Sequence, residues 1–209
     1  MIADSSVQPS KLLALARNGQ ADAVGRLLEL YLHYLKILAS SQLDQKLRHR
    51  VSPSDIVQET MCEAHRDFHQ FRGETEREFV GWLRKIMVNN LARVVERHVL
   101  TGKRDVRRER SLQQMQKSVD RSTMQMDAIL IANGDSPSEV ALERERGVHL
   151  ANCIARLPED YQQVVTLRNF QGLPFSEVGN QMNRSAGAVR MLWLRALEQL
   201  RELLRESES

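Results

Sequence analysis

The chain has 209 residues, with 30 basic and 27 acidic side chains and a net charge of +3. Hydrophobic residues reach 42% but aromatics only 5%, and Gly and Pro number 10 and 5, a composition that excludes a turn-rich barrel or sandwich. No Gly-rich loop follows a β-like run, which excludes a dinucleotide-binding sheet. No stretch approaches the ~18–20 apolar residues of a membrane span. The opening MIADSSVQPSKLL lacks the basic start and apolar core of a signal peptide, and Cys62 and Cys153 make no disulfide framework. An all-helical cytoplasmic protein is expected.

Apolar residues recur at helical spacing in two blocks. In the first, Ser10 caps a short helix from Lys11 to Arg17, and Gly19 stops it. A second helix places Val24, Leu27, Leu28, Tyr31, Leu35 and Leu38 on one face. Ser52-Pro53-Ser54-Asp55 is a strong helix start, with a capping hydroxyl, proline at the first position and an acid at the third. That helix runs to about Phe68. His69 to Thr75 reads as a loop, and Thr75 to Glu78 forms a capping box for a long helix through Phe79, Trp82, Leu83, Ile86 and Leu91.

From Leu100 to Asp135 the apolar pattern fades, and KRDVRRER leads into a polar run. This predicts a flexible linker, with a transient helical turn over Met124 to Ile131, between two small helical domains. The second block starts at the capping box Ser136-Pro137-Ser138-Glu139. Its first helix runs to about Arg156 and breaks at Leu157-Pro158; the next stops at Gly172. A short helix from Phe175 to Met182 and a long one from Ala186 to Leu204, capped by Ser185, complete it.

Phe175 to Leu192 (FSEVGNQMNRSAGAVRML) predicts a helix-turn-helix. Val178, Met182, Val189 and Leu192 fall where the helices meet, Gly179 lets them approach, and Asn183 suits the left-handed turn position. Arg184, Arg190 and Arg195 lie at or near the exposed face, where arginines read guanine edges or phosphates. An ordinary hairpin with solvated arginines fits this segment too. In His69 to Asn90, aromatic groups beside basic and amide groups suit unpaired bases, although Phe71, Phe79 and Trp82 also suit a core. Asp55, Gln58, Glu59 and Glu63 make an acidic stripe that either docks a basic partner or is simply solvated. Cys62, His65 and His69 share a helical face, but no fourth ligand is evident and no metal or cofactor is expected. Nothing points to an enzyme: there is no nucleophile elbow, phosphate loop or HExxH.

DIVQET, FRGETEREFVGWLRKIMVNNLA and LPEDYQQVVTLRNFQGLPFSEVGNQMNRSAGAVRMLWLRALEQL stand in the order and spacing of extracytoplasmic-function (ECF) sigma factors, which the chain resembles over about 10–100 and 137–205. The resemblance implies residues 1–100 as a region-2-like domain, 101–136 as linker and 137–209 as a region-4-like helix-turn-helix domain. It implies core RNA polymerase and promoter DNA as partners, and control by an anti-sigma protein or another switch. It assigns polymerase docking to Asp55, Gln58 and Glu59. It assigns capture of an unpaired −10 base to Phe71, Arg72, Gly73, Glu74, Trp82, Lys85, Asn89 and Asn90. Duplex contact at −35 falls to Arg168, Phe175, Arg184, Ser185, Arg190, Met191, Leu194 and Arg195. The alternative is a helix-turn-helix regulator that binds duplex DNA without polymerase; it leaves the DIVQET helix and the loop before Trp82 unexplained.

Overall fold

A computed structural model describes residues 9–20, 22–43, 50–99, 113–125 and 142–208. Among them every regular element is helical. Helix α1 (Pro9–Arg17) buries Leu12, Leu13 and Ala16 and gives way to Gly19 at φ +74°. The single helix expected through Val24 to Leu38 is two, α2 (Ala23–Leu30) and α3 (Leu32–Gln42), with Tyr31 at φ −100°, ψ 1° between them. The cause is tertiary. Tyr31 is fully buried, its hydroxyl donates to Glu76 Oε1 at 2.7 Å, and its ring meets Phe79 edge-on at 5.5 Å. A buried phenol needs such a partner, and the break lets Tyr31 reach it.

Helix α4 (Pro53–Asp67) begins as its sequence dictates: Ser52 Oγ accepts from the Ser54 N–H at 3.1 Å, and Pro53 opens the first turn. A 3-10 turn (Phe68–Gln70) follows. Helix α5 (Glu76–Val99) starts from a reciprocal cap in which the Glu78 N–H donates to Thr75 Oγ1. Glu78 Oε2 in turn accepts from the Glu74 N–H, the Thr75 N–H and the Thr75 hydroxyl. Those donors hold the Glu78 carboxyl below its usual range. Phe79, Leu83, Met87 and Leu91 then recur along the buried side of α5.

The polar run expected as a linker contains a described helix, α6, over 113–125. Val119 and Ser122 are buried; Ser122 Oγ lies 2.9 Å from Ser41 Oγ, and Arg84 donates to Thr123 Oγ1 at 3.3 Å. The helix is therefore seated through Val119 and Met115 together with these hydroxyl contacts to α3 and α5, too few apolar positions for hydrophobic periodicity to announce it. The basic cluster Lys103, Arg104, Arg107, Arg108 and Arg110, the residues from Met126 to Ile131 and the Ser136–Glu139 cap lie outside the described residues.

In the second block, α7 (Leu142–Ala155) is closed by Gln162, whose amide donates to Ala155 O at 3.1 Å and Leu157 O at 2.8 Å. Helix α8 (Glu159–Val165) runs into a π-turn (Thr166–Phe170) and ends at Gly172, φ +69°. Helices α9 (Phe175–Met182) and α10 (Ala186–Glu208) follow. The buried residues of both blocks form one connected core. Helix α3 lies against α7 and the π-turn, and Gln171 Nε2 donates to Ser40 O at 3.0 Å and Leu43 O at 3.2 Å. The second block thus caps the C-terminus of α3, whose last carbonyls have no partner within the helix.

Candidate nucleic-acid interface

Helices α9 and α10 meet across a tight turn. Asn183 adopts the left-handed conformation (φ 52°, ψ 43°), and the Arg184 N–H donates back to Gly179 O at 2.9 Å. A Cβ at Gly179 would stand 2.6 Å from the Arg184 carbonyl oxygen, so only glycine permits this approach. Val178, Val189 and Leu192 are buried where the helices meet. Ser185 Oγ accepts from the Ala188 N–H at 3.2 Å and starts α10.

This packing leaves Arg190, Met191, Leu194 and Arg195 exposed on α10, with Met191 52% and Leu194 46% accessible. Phe175 lies beside them, half-buried. The Arg168 guanidinium sits 4.8 Å from the Phe175 ring centre and that of Arg190 at 6.0 Å. Arg168 also donates to Leu173 O at 3.0 Å, so one of its donors is committed to holding the turn before α9. Arg184 forms an ion pair with Asp160 and borders this surface rather than projecting freely from it.

A second surface follows the 71–75 loop. Phe71 folds back onto Phe68, Phe79 and Trp82, with ring centres 5.9, 5.5 and 5.3 Å away. A Cβ at Gly73 would fall 2.4 Å from the Phe71 ring, so Gly73 is what allows that fold-back. Arg72 is exposed, and Glu74 reaches Arg17 at 3.6 Å. Trp82, Lys85 and Asn89 follow at i, i+3 and i+7 along α5, with Lys85 exposed and the other two half-buried. Asn90 does not join them. It is 0% exposed, and its Nδ2 donates to Thr60 Oγ1 at 3.2 Å, so its place among the DNA contacts is corrected to a place in the core. One residue beyond Asn89 is a 100° turn of helix, enough to face inward.

On α4, Asp55, Gln58 and Glu59 are all exposed along one side. Glu59 lies 3.7 Å from Arg93, which also bonds Glu63 at 3.3 Å. Cys62 and His65 are exposed on this helix, and His69 lies in the 3-10 turn with Nδ1 3.1 Å from Arg66 O.

The Sigma-70, region 4 family matches residues 153–202, which hold α8, the π-turn, α9 and most of α10. The chain is 30% identical to the ECF RNA polymerase sigma-E factor of Haemophilus influenzae over 146 residues, 70% of this chain and 71% of that protein. The chain belongs to the ECF sigma factors. It is also 30% identical to the RNA polymerase sigma-H factor of Pseudomonas aeruginosa, over 73% of this chain and 75% of that one. With the sigma-E factor of Escherichia coli K12 it shares 29% identity over 69% of each chain. Among the described residues, no helix of this sigma factor is long and apolar enough to cross a membrane.

Two further residues of this sigma factor border the α10 surface, and no local signal in the sequence marks them. Trp193 stands three residues after Arg190, and its indole N–H donates to Asn169 Oδ1 at 2.8 Å. Its ring meets Phe175 edge-on, with centres 5.6 Å apart. Residues 169 and 193 lie on different elements, so no local spacing relates them.

Proposed function

We propose that this sigma factor docks on core RNA polymerase through the exposed acidic side of α4, with Asp55, Gln58 and Glu59 in contact. Its second domain, residues 137–209, reads duplex DNA at −35; its first, residues 1–100, captures an unpaired base near −10; and 101–136 joins them. The observation that carries this reading is the surface of α10, where Arg190 and Arg195 project beside Met191 and Leu194 from a helix held at a fixed angle by the Gly179 contact.

The chemistry follows from those side chains. Arg190 sits in the first turns of α10, the part of a recognition helix that meets base edges, and its planar fork suits guanine O6 and N7. Met191 and Leu194 offer apolar contact to thymine methyl groups. Arg195, more than a turn further along, neutralises phosphate, as do Arg168 and Arg184 at the margins. At −10, Arg72 and Lys85 draw in the backbone while Trp82 and the edge of Phe71 offer ring surface to an unstacked base. Holding that base out of the stack offsets the few kcal/mol of unstacking and so nucleates strand opening. An anti-sigma protein would silence the factor by covering these same exposed faces.

The test compares two alanine variants in holoenzyme, on a panel of −35 variants at two salt concentrations. Arg190→Ala is expected to cost about 1–3 kcal/mol on the preferred sequence and to flatten discrimination at one or two positions. Arg195→Ala is expected to weaken all sequences alike and to lower the salt slope by about one. A uniform loss from Arg190→Ala would make Arg190 a phosphate contact and refute the assignment. Retention of duplex binding with no co-elution on core polymerase would favour the polymerase-independent regulator.

A further inference from the structure

We infer that Asn169 and Trp193 are positioning residues for −35 recognition, acting on Arg190 through the ring of Phe175. The inference rests on the reading of α10 as the recognition helix. Arg190 and Trp193 are three residues apart and therefore neighbours on one side of α10. Trp193 is half-buried, and its single N–H donor is committed to Asn169 Oδ1 at 2.8 Å, across 24 residues of chain. That bond fixes the angle of the indole plane. The indole then meets Phe175 at 5.6 Å and 67°, the edge-to-face arrangement that aromatic quadrupoles favour. Phe175 in turn carries Arg168 at 4.8 Å and Arg190 at 6.0 Å.

The π-turn makes this possible. Thr166–Phe170 winds wider than an α-helix, and both of its consecutive polar residues serve the recognition side. Arg168 reaches Leu173 O and Phe175, while Asn169 reaches Trp193. Arg190 therefore rests against a ring whose own position is set from the preceding helix. A free arginine side chain loses much rotamer freedom when it docks in a groove. A guanidinium already resting on a fixed ring loses less, so affinity is gained without any new DNA contact. Neither Asn169 nor Trp193 need touch DNA for this.

The experiment is a double-mutant cycle in the full chain, bound to core polymerase and titrated with promoter DNA carrying the preferred −35 sequence or single-base variants. Asn169→Ala is expected to lower affinity for the preferred sequence about three- to tenfold and to narrow discrimination at the positions Arg190 reads. In an Arg190→Ala background, Asn169→Ala is expected to change discrimination no further, leaving only a sequence-independent loss through Arg168, which rests on the same ring; in an Arg195→Ala background it keeps its full effect. Trp193→Phe retains the ring contact without the N–H and is expected to lose less than Trp193→Leu. Asn169→Ala with an equal loss on every sequence, adding fully to Arg190→Ala, would overturn the positioning role. If Arg190→Ala itself leaves −35 discrimination untouched, the reading of α10 fails first, and the inference falls with it.

Discussion

The contact at Gly179 holds α9 and α10 at close approach, and filling it with a methyl group should change both stability and DNA binding. Replacing Gly179 with alanine places a methyl carbon 2.6 Å from the carbonyl oxygen of Arg184, 3.4 Å from the Ala186 nitrogen and 3.5 Å from the Ser185 carbonyl carbon. All three atoms are backbone. The segment is held by Arg184 N–H donating to Gly179 O and by Val189 N–H donating to Ser185 O, so it cannot swing aside cheaply. Relief requires α10 to move away from α9 by roughly half an ångström, at the distance where repulsion rises steeply. Forced overpacking of this kind costs about 1–3 kcal/mol. Alanine also removes the helix penalty of glycine, about 1 kcal/mol, which works in the opposite direction. The clean comparison is Gly25→Ala in α2, where nothing lies within 4 Å of the new methyl and the helix gain stands unopposed. The two variants should therefore differ by about 1–3 kcal/mol, or roughly 2–12 °C in melting temperature for a chain of this size. Urea and thermal unfolding followed by circular dichroism would measure the difference, and binding of a −35 duplex would report the displaced α10. If Gly179→Ala is as stable as Gly25→Ala and binds DNA normally, the close approach does not set the angle of the recognition helix.

Thr60→Val strips the buried Asn90 amide of its hydroxyl partner and is expected to cost about 1–3 kcal/mol in urea unfolding. Adding Asn90→Leu should recover part of that loss, because Asn90 Oδ1 is already buried without a hydrogen-bond partner. Glu78 is held below the ordinary carboxylate range first by the Glu74 N–H and then by the hydroxyl and N–H of Thr75. Its contribution is fully present above its unfolded pKa and is lost as pH falls through the lowered folded value. Glu78→Gln should flatten that part of the acid limb, and an unchanged limb would show the cap to be irrelevant to stability. Gln171→Ala removes the second block's hold on the α3 carbonyls and should lower the melting temperature by about 2–4 °C, for about 1 kcal/mol. Asp55→Arg, on the exposed side of α4, should abolish co-elution with core polymerase at a cost of about 2–5 kcal/mol while leaving the helical signal intact; unchanged co-elution would reject the docking assignment.

Much of this protein is legible in its sequence, and the legible part is local. Ser52 with Pro53, Thr75 with Glu78, and Ser185 before Ala186 mark helix starts because a cap acts over two or three residues. Gly179 and Asn183 mark the helix-turn-helix because each answers a backbone demand at its own position. What tertiary structure alone decided involves partners far apart in sequence. Tyr31 breaks the predicted helix to reach Glu76, 45 residues away. Helix α6 forms in a polar run because Ser122 and Thr123 find Ser41 and Arg84 beside the buried Val119, contacts with too few apolar positions to make a readable stripe. Asn90 turns inward because Thr60 awaits it on a neighbouring helix. Asn169 reaches Trp193 only because a π-turn and a hairpin of helices bring positions 24 residues apart face to face. Caps and turns act at fixed short spacing and can be read along the chain, whereas a buried polar group's partner depends on which helices the core has brought together.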